Sequence, residues 1–324
     1  MTTTTSARPG DRGGEPEPRP APGVVAGVGR TALMVAAARA IESGRPDALA
    51  QDPYAAHFVR AAAAGGEWPL HPDEVPGGEA DPLWGRLGRY FGLRTRVFDD
   101  HLLRQAEAGV RQFVLLGAGL DARAHRLPWP RDCTVYELDR ASVLAFKQRA
   151  LDTLDPAAAT PRARRVPIAA DLRLDWIDSL SATGFDPDLP TAWMAEGLLL
   201  YLPSTVENRL VDIIDAYSAS GSTLAYEVKL SIETEAVRTS PIYEAASERI
   251  GIDMIALFDP DPRPDSVADL AERGWHTETH IPFDHSRRLG RGPLPLPTDA
   301  LNANRWTFAA LGDEKLLPGQ GVRR

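Results

Sequence analysis

Beyond residue 112 the sequence alternates short apolar runs with longer amphipathic stretches, and this alternation restricts the fold more than any other feature. It is typical of β-α-β units, in which each buried strand is followed by a helix that crosses back over a parallel sheet. The runs that fit strands are residues 113–116, 134–138, 165–168, 192–195, 223–228, 276–281 and 306–311. We therefore predict an α/β protein with a seven-stranded, mostly parallel sheet.

The part of the chain before this alternation predicts helices. Residues 31–43 are Ala-rich and helical in character, and Gly44 ends the pattern. Asp52 followed by proline predicts the N-cap of a second helix. A loop rich in Gly and Pro at residues 65–82 leads to helical spacing over residues 83–108.

The domain organisation follows from these two patterns. Residues 1–22 have almost no large apolar side chain, so we expect a disordered tail. We expect residues 23–110 to form a helical cap on a catalytic core of residues 111–324. Within the core, residues 229–262 form a long insertion after the fifth strand. Because ligands bind at the carboxyl ends of the strands in such sheets, this insertion predicts a lid, with an ordinary core helix as the alternative.

Composition argues against several classes of partner. The chain has 324 residues, a net charge of −9 at pH 7 and 43% hydrophobic residues. No apolar run approaches the roughly 20 residues that a membrane span requires, and the first residues lack the apolar core of a signal peptide. A negative net charge repels a phosphate backbone, and no Lys/Arg cluster offsets it. We therefore expect a cytoplasmic protein that binds neither membranes nor nucleic acid.

Two features at the ends of the first two strands point to an adenosine-containing ligand. Gly117, Ala118 and Gly119 follow the first strand, where the backbone must turn sharply and approach a ligand closely. Asp139 ends the second strand, and a carboxylate at this place accepts hydrogen bonds from both ribose hydroxyls. Glycines after a strand also form simple tight turns, and with Ala122 they match the dinucleotide fingerprint of NAD enzymes. The identity of the cofactor therefore depends on further residues.

Three more positions separate the possible cofactors. After the third strand, Asp171 is placed to accept from an adenine amino group and Leu172 to pack on the ring, although such an Asp is also a common helix N-cap. After the fourth strand, Glu196 lies among apolar residues, and the cationic groups of S-adenosyl-L-methionine would neutralise it. Before the first strand, Arg94 is placed to bind a methionine carboxylate, with a solvated surface charge as the alternative.

Two other classes of protein share parts of this pattern. An NAD-dependent oxidoreductase would use the glycine loop and Asp139, but it gives Glu196 no role, and the chain has no Tyr-x-x-x-Lys pattern for hydride chemistry. A non-catalytic protein that retains the cofactor pocket is the second alternative. The seven histidines lack metal-ligand spacing, so we predict no metal site.

The ordered motifs resemble those of a known family. They are Val28-Gly29-Arg30-Thr31-Ala32, Asp52-Pro53-Tyr54, Gly117-Ala118-Gly119-Leu120-Asp121-Ala122-Arg123, Glu137-Leu138-Asp139 and Ala195-Glu196-Gly197. Together they resemble the leucine carboxyl methyltransferase family, specifically its bacterial branch of small-molecule O-methyltransferases. The resemblance extends from about Gly27 to Leu311. It implies a Rossmann-like class I methyltransferase fold, in which the seventh strand lies antiparallel between the fifth and sixth.

The resemblance also implies the cofactor and a set of site residues. The cofactor is S-adenosyl-L-methionine, which is converted to S-adenosyl-L-homocysteine. The implied cofactor-binding residues are Arg39, Arg94, Gly117, Ala118, Gly119, Asp139, Asp171, Leu172 and Glu196. The residues implied to bind an acceptor carboxylate are Arg173 and Tyr201.

The acceptor follows from the chemistry that the reaction needs. A carboxylate is ionised at neutral pH and needs no general base, whereas a phenol or alcohol does, and no histidine stands out as that base. This favours carboxyl methylation, with a phenol or alcohol as the alternative. The apolar insertion, with aromatic residues nearby, favours a small aromatic or polyketide-like acceptor of secondary metabolism over a protein tail.

Overall fold

A computed structural model describes four ranges of the chain, residues 28–62, 68–231, 234–296 and 300–318. The tail expected at residues 1–22 lies outside these ranges. So do residues 63–67, which include the start of the predicted loop before residue 83.

The described residues form one seven-stranded sheet with the order β3-β2-β1-β4-β5-β7-β6. The strands are β1 (Gln112–Leu116), β2 (Thr134–Asp139), β3 (Arg164–Ala169), β4 (Thr191–Ala195), β5 (Thr223–Lys229), β6 (Trp275–His280) and β7 (Asn304–Leu311). β7 pairs antiparallel with both β5 and β6, and the pairs among β1 to β5 are parallel. Each predicted strand is present at its predicted place, and the expected position and direction of the last strand are confirmed.

Helices occupy the connections between these strands and the part of the chain before them. They are α1 (Val28–Ser43), α2 (Ala55–Ala61), α3 (Gly88–Glu107), α4 (Arg123–Arg126), α5 (Ala141–Leu151), α6 (Pro156–Ala159), α7 (Ile177–Ser181), α8 (Ser204–Ala216), α9 (Glu235–Arg238), α10 (Pro241–Ile250), α11 (Met254–Leu257), α12 (Ser266–Glu272) and α13 (Pro282–Leu289). None of the helices in the described ranges combines the length and the hydropathy that a bilayer span requires.

The helices before β1 share a core with the sheet. Phe98 of α3 lies 5.9 Å from the Trp306 ring and 5.8 Å from the Phe308 ring, both of β7. Met34 of α1 and Phe113 of β1 belong to the same buried cluster. A second cluster, which includes Trp193, fills the opposite face of the sheet. The predicted cap is therefore part of the packing of one sheet face.

Two local predictions before β1 need correction. α2 begins at Ala55, and its N-cap, Tyr54, makes no capping bond with its side chain. The Asp52 carboxylate instead receives hydrogen bonds from the Tyr54 amide (3.1 Å) and from Arg39 (2.8 Å), so it braces the turn ahead of the helix. The helix predicted over 83–108 is present as α3, but Pro82–Leu87 before it forms a π-helix whose first turn is capped by Asp81.

Candidate functional site

A cavity of about 290 Å³ lies at the carboxyl ends of the parallel strands. This is the edge at which ligands bind in doubly wound sheets. The segments that follow β1, β2, β3 and β4 each contribute to its wall, and β5 contributes its last residues. Its wall includes the predicted residues Arg39, Arg94, Gly117, Ala118, Gly119, Asp139, Asp171, Leu172, Arg173, Glu196 and Tyr201. The topology therefore brings all the predicted site residues to one cavity.

The glycine loop after β1 is shaped by its backbone conformation. Gly117 has a φ of +67°, and a Cβ at this position would lie only 2.9 Å from the Leu198 side chain, so the turn requires glycine. The Ala118 amide donates to the Leu138 carbonyl at 3.0 Å, and the Gly119 amide donates to the Asp139 carboxylate at 2.7 Å. These bonds hold the loop against the end of β2.

Asp139 is half-buried at the end of β2. Its two carboxylate oxygens accept from the Gly119 amide and the Arg140 amide, both at 2.7 Å. Burial raises the pKa of the Asp139 carboxyl, and these two amides partly oppose that effect. A carboxylate oxygen has two lone pairs, so each oxygen keeps acceptor capacity for one further hydrogen bond. That capacity matches the two hydroxyls of a ribose.

The segment after β3 holds Asp171, Leu172 and Arg173. Arg173 donates to the two Asp171 carboxylate oxygens, from Nε to Oδ1 at 2.9 Å and from Nη2 to Oδ2 at 2.5 Å. This hydrogen bonding lowers the pKa of Asp171 to about 2. Leu172 is buried. No helix begins at Asp171, since α7 begins at Ile177, so the N-cap alternative does not apply. Because Asp139 pairs with Ala169 at the end of β3, Asp171 and Leu172 follow close to Asp139 on the cavity wall.

Glu196 is half-buried after β4, but the source of its neutralising charge differs from the sequence-based argument. That argument assigned the positive charge to the cofactor. In the structure, Arg94 lies 2.9 Å and Arg123 lies 2.7 Å from the Glu196 carboxylate oxygens. Burial raises the pKa of Glu196, but the two guanidinium groups outweigh it, and the pKa falls below its ordinary value. The protein itself therefore stabilises this carboxylate with ion pairs from two arginines.

Arg94 is buried, so the solvated-charge alternative is wrong for it. Its Nη1 atom lies 2.5 Å from the carboxylate of Glu227, a residue that the sequence analysis did not single out. Glu227 also accepts from the Tyr90 hydroxyl and, at 3.1 Å, from the Trp306 indole. The available signal was a charged side chain inside the fully buried fifth strand. Its partners come from α3 and β7, which are distant in the sequence.

Arg39 connects the cap to the glycine loop. From α1, its guanidinium donates to Asp52 and, at 2.8 Å, to the carbonyl of Leu120. The resemblance placed Arg39 near the cofactor, and the structure places it on the cavity wall. Its position thus joins the first helix to the loop that follows β1.

Tyr201 and Arg173, the two residues predicted to bind the acceptor, lie after different strands. β2 and β1 separate β3 from β4, so the ends of these two strands lie about 14 Å apart at about 4.8 Å per strand. The Arg173 guanidinium is directed to Asp171, and 59% of its side chain is exposed. The Tyr201 ring instead lies 6.0 Å from the ring of Phe258 in the insertion after β5. The structure thus places Tyr201, but not Arg173, beside the predicted lid.

The insertion after β5 covers one end of the cavity. Tyr243, Met254 and Phe258 line the cavity wall and also pack into the large core cluster. Arg249 of α10 pairs with Asp81 at the start of the π-helix, which ties the insertion to the cap. The insertion therefore forms a wall of the cavity and is also part of the core. It has features of both the predicted lid and the alternative, an ordinary core helix.

Comparison with known proteins identifies the family. The family model described as leucine carboxyl methyltransferase matches residues 32–215. The chain belongs to the leucine carboxyl methyltransferase family. A Streptomyces coelicolor protein named as an S-adenosyl-L-methionine-dependent methyltransferase is 60% identical over 89% of this chain and 94% of its own length. A Saccharopolyspora erythraea protein with the same kind of name is 44% identical over 78% of this chain and 84% of its own.

A solved structure of a DUF574 family protein from Streptomyces avermitilis is also similar to this methyltransferase. It covers 87% of this chain and 97% of its own, with 15% identity and a TM-score of 0.49. The family match and the named relatives confirm the predicted assignment to the S-adenosyl-L-methionine-dependent methyltransferases. The roles of the individual site residues stay predictions.

Proposed function

We propose that this methyltransferase transfers a methyl group from S-adenosyl-L-methionine to the carboxylate of a small molecule and so forms a methyl ester. In this proposal Asp139 binds the ribose hydroxyls, and Asp171 with Leu172 holds the adenine. Arg94 and Glu196 bind the amino-acid part of the cofactor above the loop at Gly117. The acceptor binds beside Tyr201, under the insertion after β5.

The cofactor fits the cavity because its parts match the order of the strand ends. The acceptor capacity at Asp139 suits a sugar diol, and the Arg94–Glu196 pair presents both charges that an amino acid requires. When bound, S-adenosyl-L-methionine supplies a methyl group on a sulfonium, which passes to an acceptor oxygen as the carbon–sulfur bond breaks and leaves a neutral thioether. The protein's own task is to align the acceptor and to exclude water.

The observation that carries the choice of a carboxylate acceptor is the chemistry of the groups at the acceptor end. Burial raises the pKa of the Tyr201 hydroxyl to about 12, with a hydrogen bond to Thr31 partly opposing it, so at neutral pH this group donates and does not remove protons. Within the described ranges no histidine lines the cavity. The Glu227 carboxylate already accepts from Tyr90, Arg94 and Trp306. None of these groups supplies a base for a phenol, whereas a carboxylate needs none.

The apolar character of the acceptor end supports a small molecule. Tyr243, Met254 and Phe258 give this end an apolar, partly aromatic wall. Such a wall suits an aromatic or polyketide-like acid of secondary metabolism. In this proposal Arg173 acts at the opposite end, where it holds the Asp171 side chain in place.

The test uses the alkali lability of methyl esters. The purified protein is incubated with methyl-labelled S-adenosyl-L-methionine and pairs of acceptors that share one aromatic body, one with a carboxylate and one with a phenol. We expect label in the acids, and we expect mild alkali to release it as volatile methanol. Label that enters only phenols and resists alkali would show that the product is an ether. Label that enters only a peptide C-terminus would contradict the small-molecule acceptor.

A further inference from the structure

Lys229 is a buried cation at the carboxyl end of β5, and only 3% of it is exposed. Its ammonium donates to the Ala300 carbonyl at 2.7 Å and to Asn304 Oδ1 at 3.2 Å, and it lies 5.6 Å from the centroid of the Tyr243 ring. Asn304 is the residue that pairs with Lys229 where β5 meets β7. These contacts fix the position of the ammonium, and Lys229 is one of the residues that line the cavity.

The sheet order separates Lys229 from the part of the cavity where the adenosine binds in the proposed function. β1 and β4 lie between β2, which carries Asp139, and β5, which carries Lys229. Three strand spacings put about 14 Å between these two strand ends. The proposed cofactor extends from the ends of β2 and β3 to the end of β4. The ends of β5 and β7 therefore lie beyond it, on the acceptor side.

We use the name acceptor chamber for the part of the cavity wall on the side of Lys229. It consists of Lys229, Asn304, Tyr243, Phe258, Met254 and Leu301. The Tyr243 and Phe258 rings lie 5.7 Å apart, and the Tyr201 ring adjoins Phe258 at 6.0 Å. Lys229 thus lies at one end of an apolar, aromatic wall that continues to Tyr201.

Resting on the proposed ester-forming function, we propose that Lys229 binds the acceptor's carboxylate and makes the acceptor chamber specific for an aromatic or similarly apolar carboxylic acid. An ionic contact in a buried cavity is stronger than the same contact in water. Methylation converts the acceptor carboxylate into a neutral ester and so removes the charge that Lys229 binds. The same residue therefore favours binding of the acid and release of the ester.

The proposal is tested by calorimetry with saturating S-adenosyl-L-homocysteine. The probes are benzoate, 1-naphthoate and 2-anthroate, each compared with its own methyl ester. For the wild-type protein we expect at least one acid to bind about tenfold or more tightly than its ester, as a charge-assisted contact requires. Lys229→Met is expected to abolish this preference, and Lys229→Arg to retain most of it. The affinity for S-adenosyl-L-homocysteine is expected to be unchanged in both variants.

A second variant, Asn304→Asp, tests the proposal independently of whether Lys229→Met folds. Asn304→Asp keeps the ammonium but places a carboxylate against it, so it is expected to reduce the preference for the acid while Lys229 remains. The proposal is overturned if wild type binds no acid more tightly than its ester, or if Lys229→Met keeps the wild-type preference. It is also overturned if the variants lose S-adenosyl-L-homocysteine in proportion to the acid, because Lys229 would then belong to the cofactor site.

The labelled-methyl assay separates this inference from the proposed function. Acids that bind through Lys229 but receive no alkali-labile label would contradict ester formation and leave the binding role intact. Esters that form equally well in wild type and Lys229→Met would contradict the binding role and leave ester formation intact.

Discussion

At the scale of single residues, the carboxylates of the cavity differ in the groups that the protein already places against them. The Asp171 carboxylate is bound by Arg173, and the Glu196 carboxylate lies between Arg94 and Arg123. Asp139 instead accepts one backbone amide on each oxygen. Asp139 is therefore the carboxylate best able to bind two neighbouring hydroxyls, and we place the ribose there.

Replacement of Asp139 tests this assignment. Asp139→Ala is expected to weaken the binding of S-adenosyl-L-homocysteine by about an order of magnitude or more, because hydrogen bonds to a charged group contribute roughly 1.5 to 3 kcal/mol. Calorimetry measures the affinity directly. Asp152→Asn, at an exposed position in the turn after α5, serves as the control and is expected to bind as wild type. An Asp139→Ala protein with wild-type affinity would remove Asp139 from the cofactor site.

At the scale of secondary-structure elements, the insertion after β5 is attached to the rest of the protein by arginines. The Arg30 guanidinium, at the start of α1, donates to the Ile250 carbonyl at the end of α10. Arg249 of α10 pairs with Asp81. Beyond the insertion, Arg263 donates to the Leu199 carbonyl (2.8 Å) in the segment that carries Tyr201. These contacts fix the middle of the predicted lid, at the end of α10, and the segment just beyond its last residue.

Loss of one of these contacts is expected to increase the local opening of α10. In Arg30→Met, the backbone amides of residues 242–250 should exchange with solvent about fivefold faster, because one hydrogen bond contributes about 1 kcal/mol. Hydrogen-exchange mass spectrometry measures this rate. Arg238→Met, at an exposed position in α9, is the matched control and should leave the rate unchanged. Equal exchange in wild type and Arg30→Met would show that Arg30 does not hold the lid.

The elements themselves were largely predictable from the sequence, because the periods of strands and helices are local properties of the chain. The strands, the glycine loop and Asp139 all lie where the patterns placed them. The ion-pair partners were not predictable. Glu227 meets Tyr90, Arg94 and Trp306, which come from distant segments, and only the folded sheet brings them together. The N-cap predicted at Asp52 was wrong because α2 begins only at Ala55, so the Asp52 carboxylate binds the Tyr54 amide in the turn ahead of the helix and Arg39 of α1.

At the scale of the whole molecule, buried histidines connect stability to pH. His101 of α3 is fully buried beside Phe308 of β7, with ring centroids 5.1 Å apart, and neither ring nitrogen has a hydrogen-bond partner among the described residues. Burial, assisted by Arg104, lowers the pKa of His101 to about 3. Burial, assisted by His280, likewise lowers the pKa of His285 to about 3. Both imidazoles are therefore neutral in the folded protein at neutral pH.

The sign of the effect follows from proton linkage. Below its ordinary pKa of 6.5, the His101 imidazole takes up a proton in the unfolded chain but not in the folded one, so acidification favours unfolding. Burial raises the pKa of Glu207 to about 7, which has the opposite effect over part of this range. A comparison of variants is therefore needed to isolate His101.

His101→Leu is expected to lose less stability on acidification than wild type. Between about pH 7.5 and about pH 5, the wild-type free energy of unfolding should fall by about 2 kcal/mol more than that of the variant. Urea unfolding at a series of pH values measures the difference. His276→Leu, at an exposed position on β6, should retain the wild-type dependence. Parallel pH curves for wild type and His101→Leu would mean that His101 does not contribute.

A crystal structure with S-adenosyl-L-homocysteine tests most directly whether the cofactor and acceptor occupy the two ends of one cavity. We expect the ribose hydroxyls on Asp139, the adenine beside Leu172 and the amino-acid part between Arg94 and the loop at Gly117. The thioether sulfur should then face the acceptor chamber that contains Lys229. A ligand bound in the reverse direction, or with its sulfur turned away from that chamber, would contradict the account.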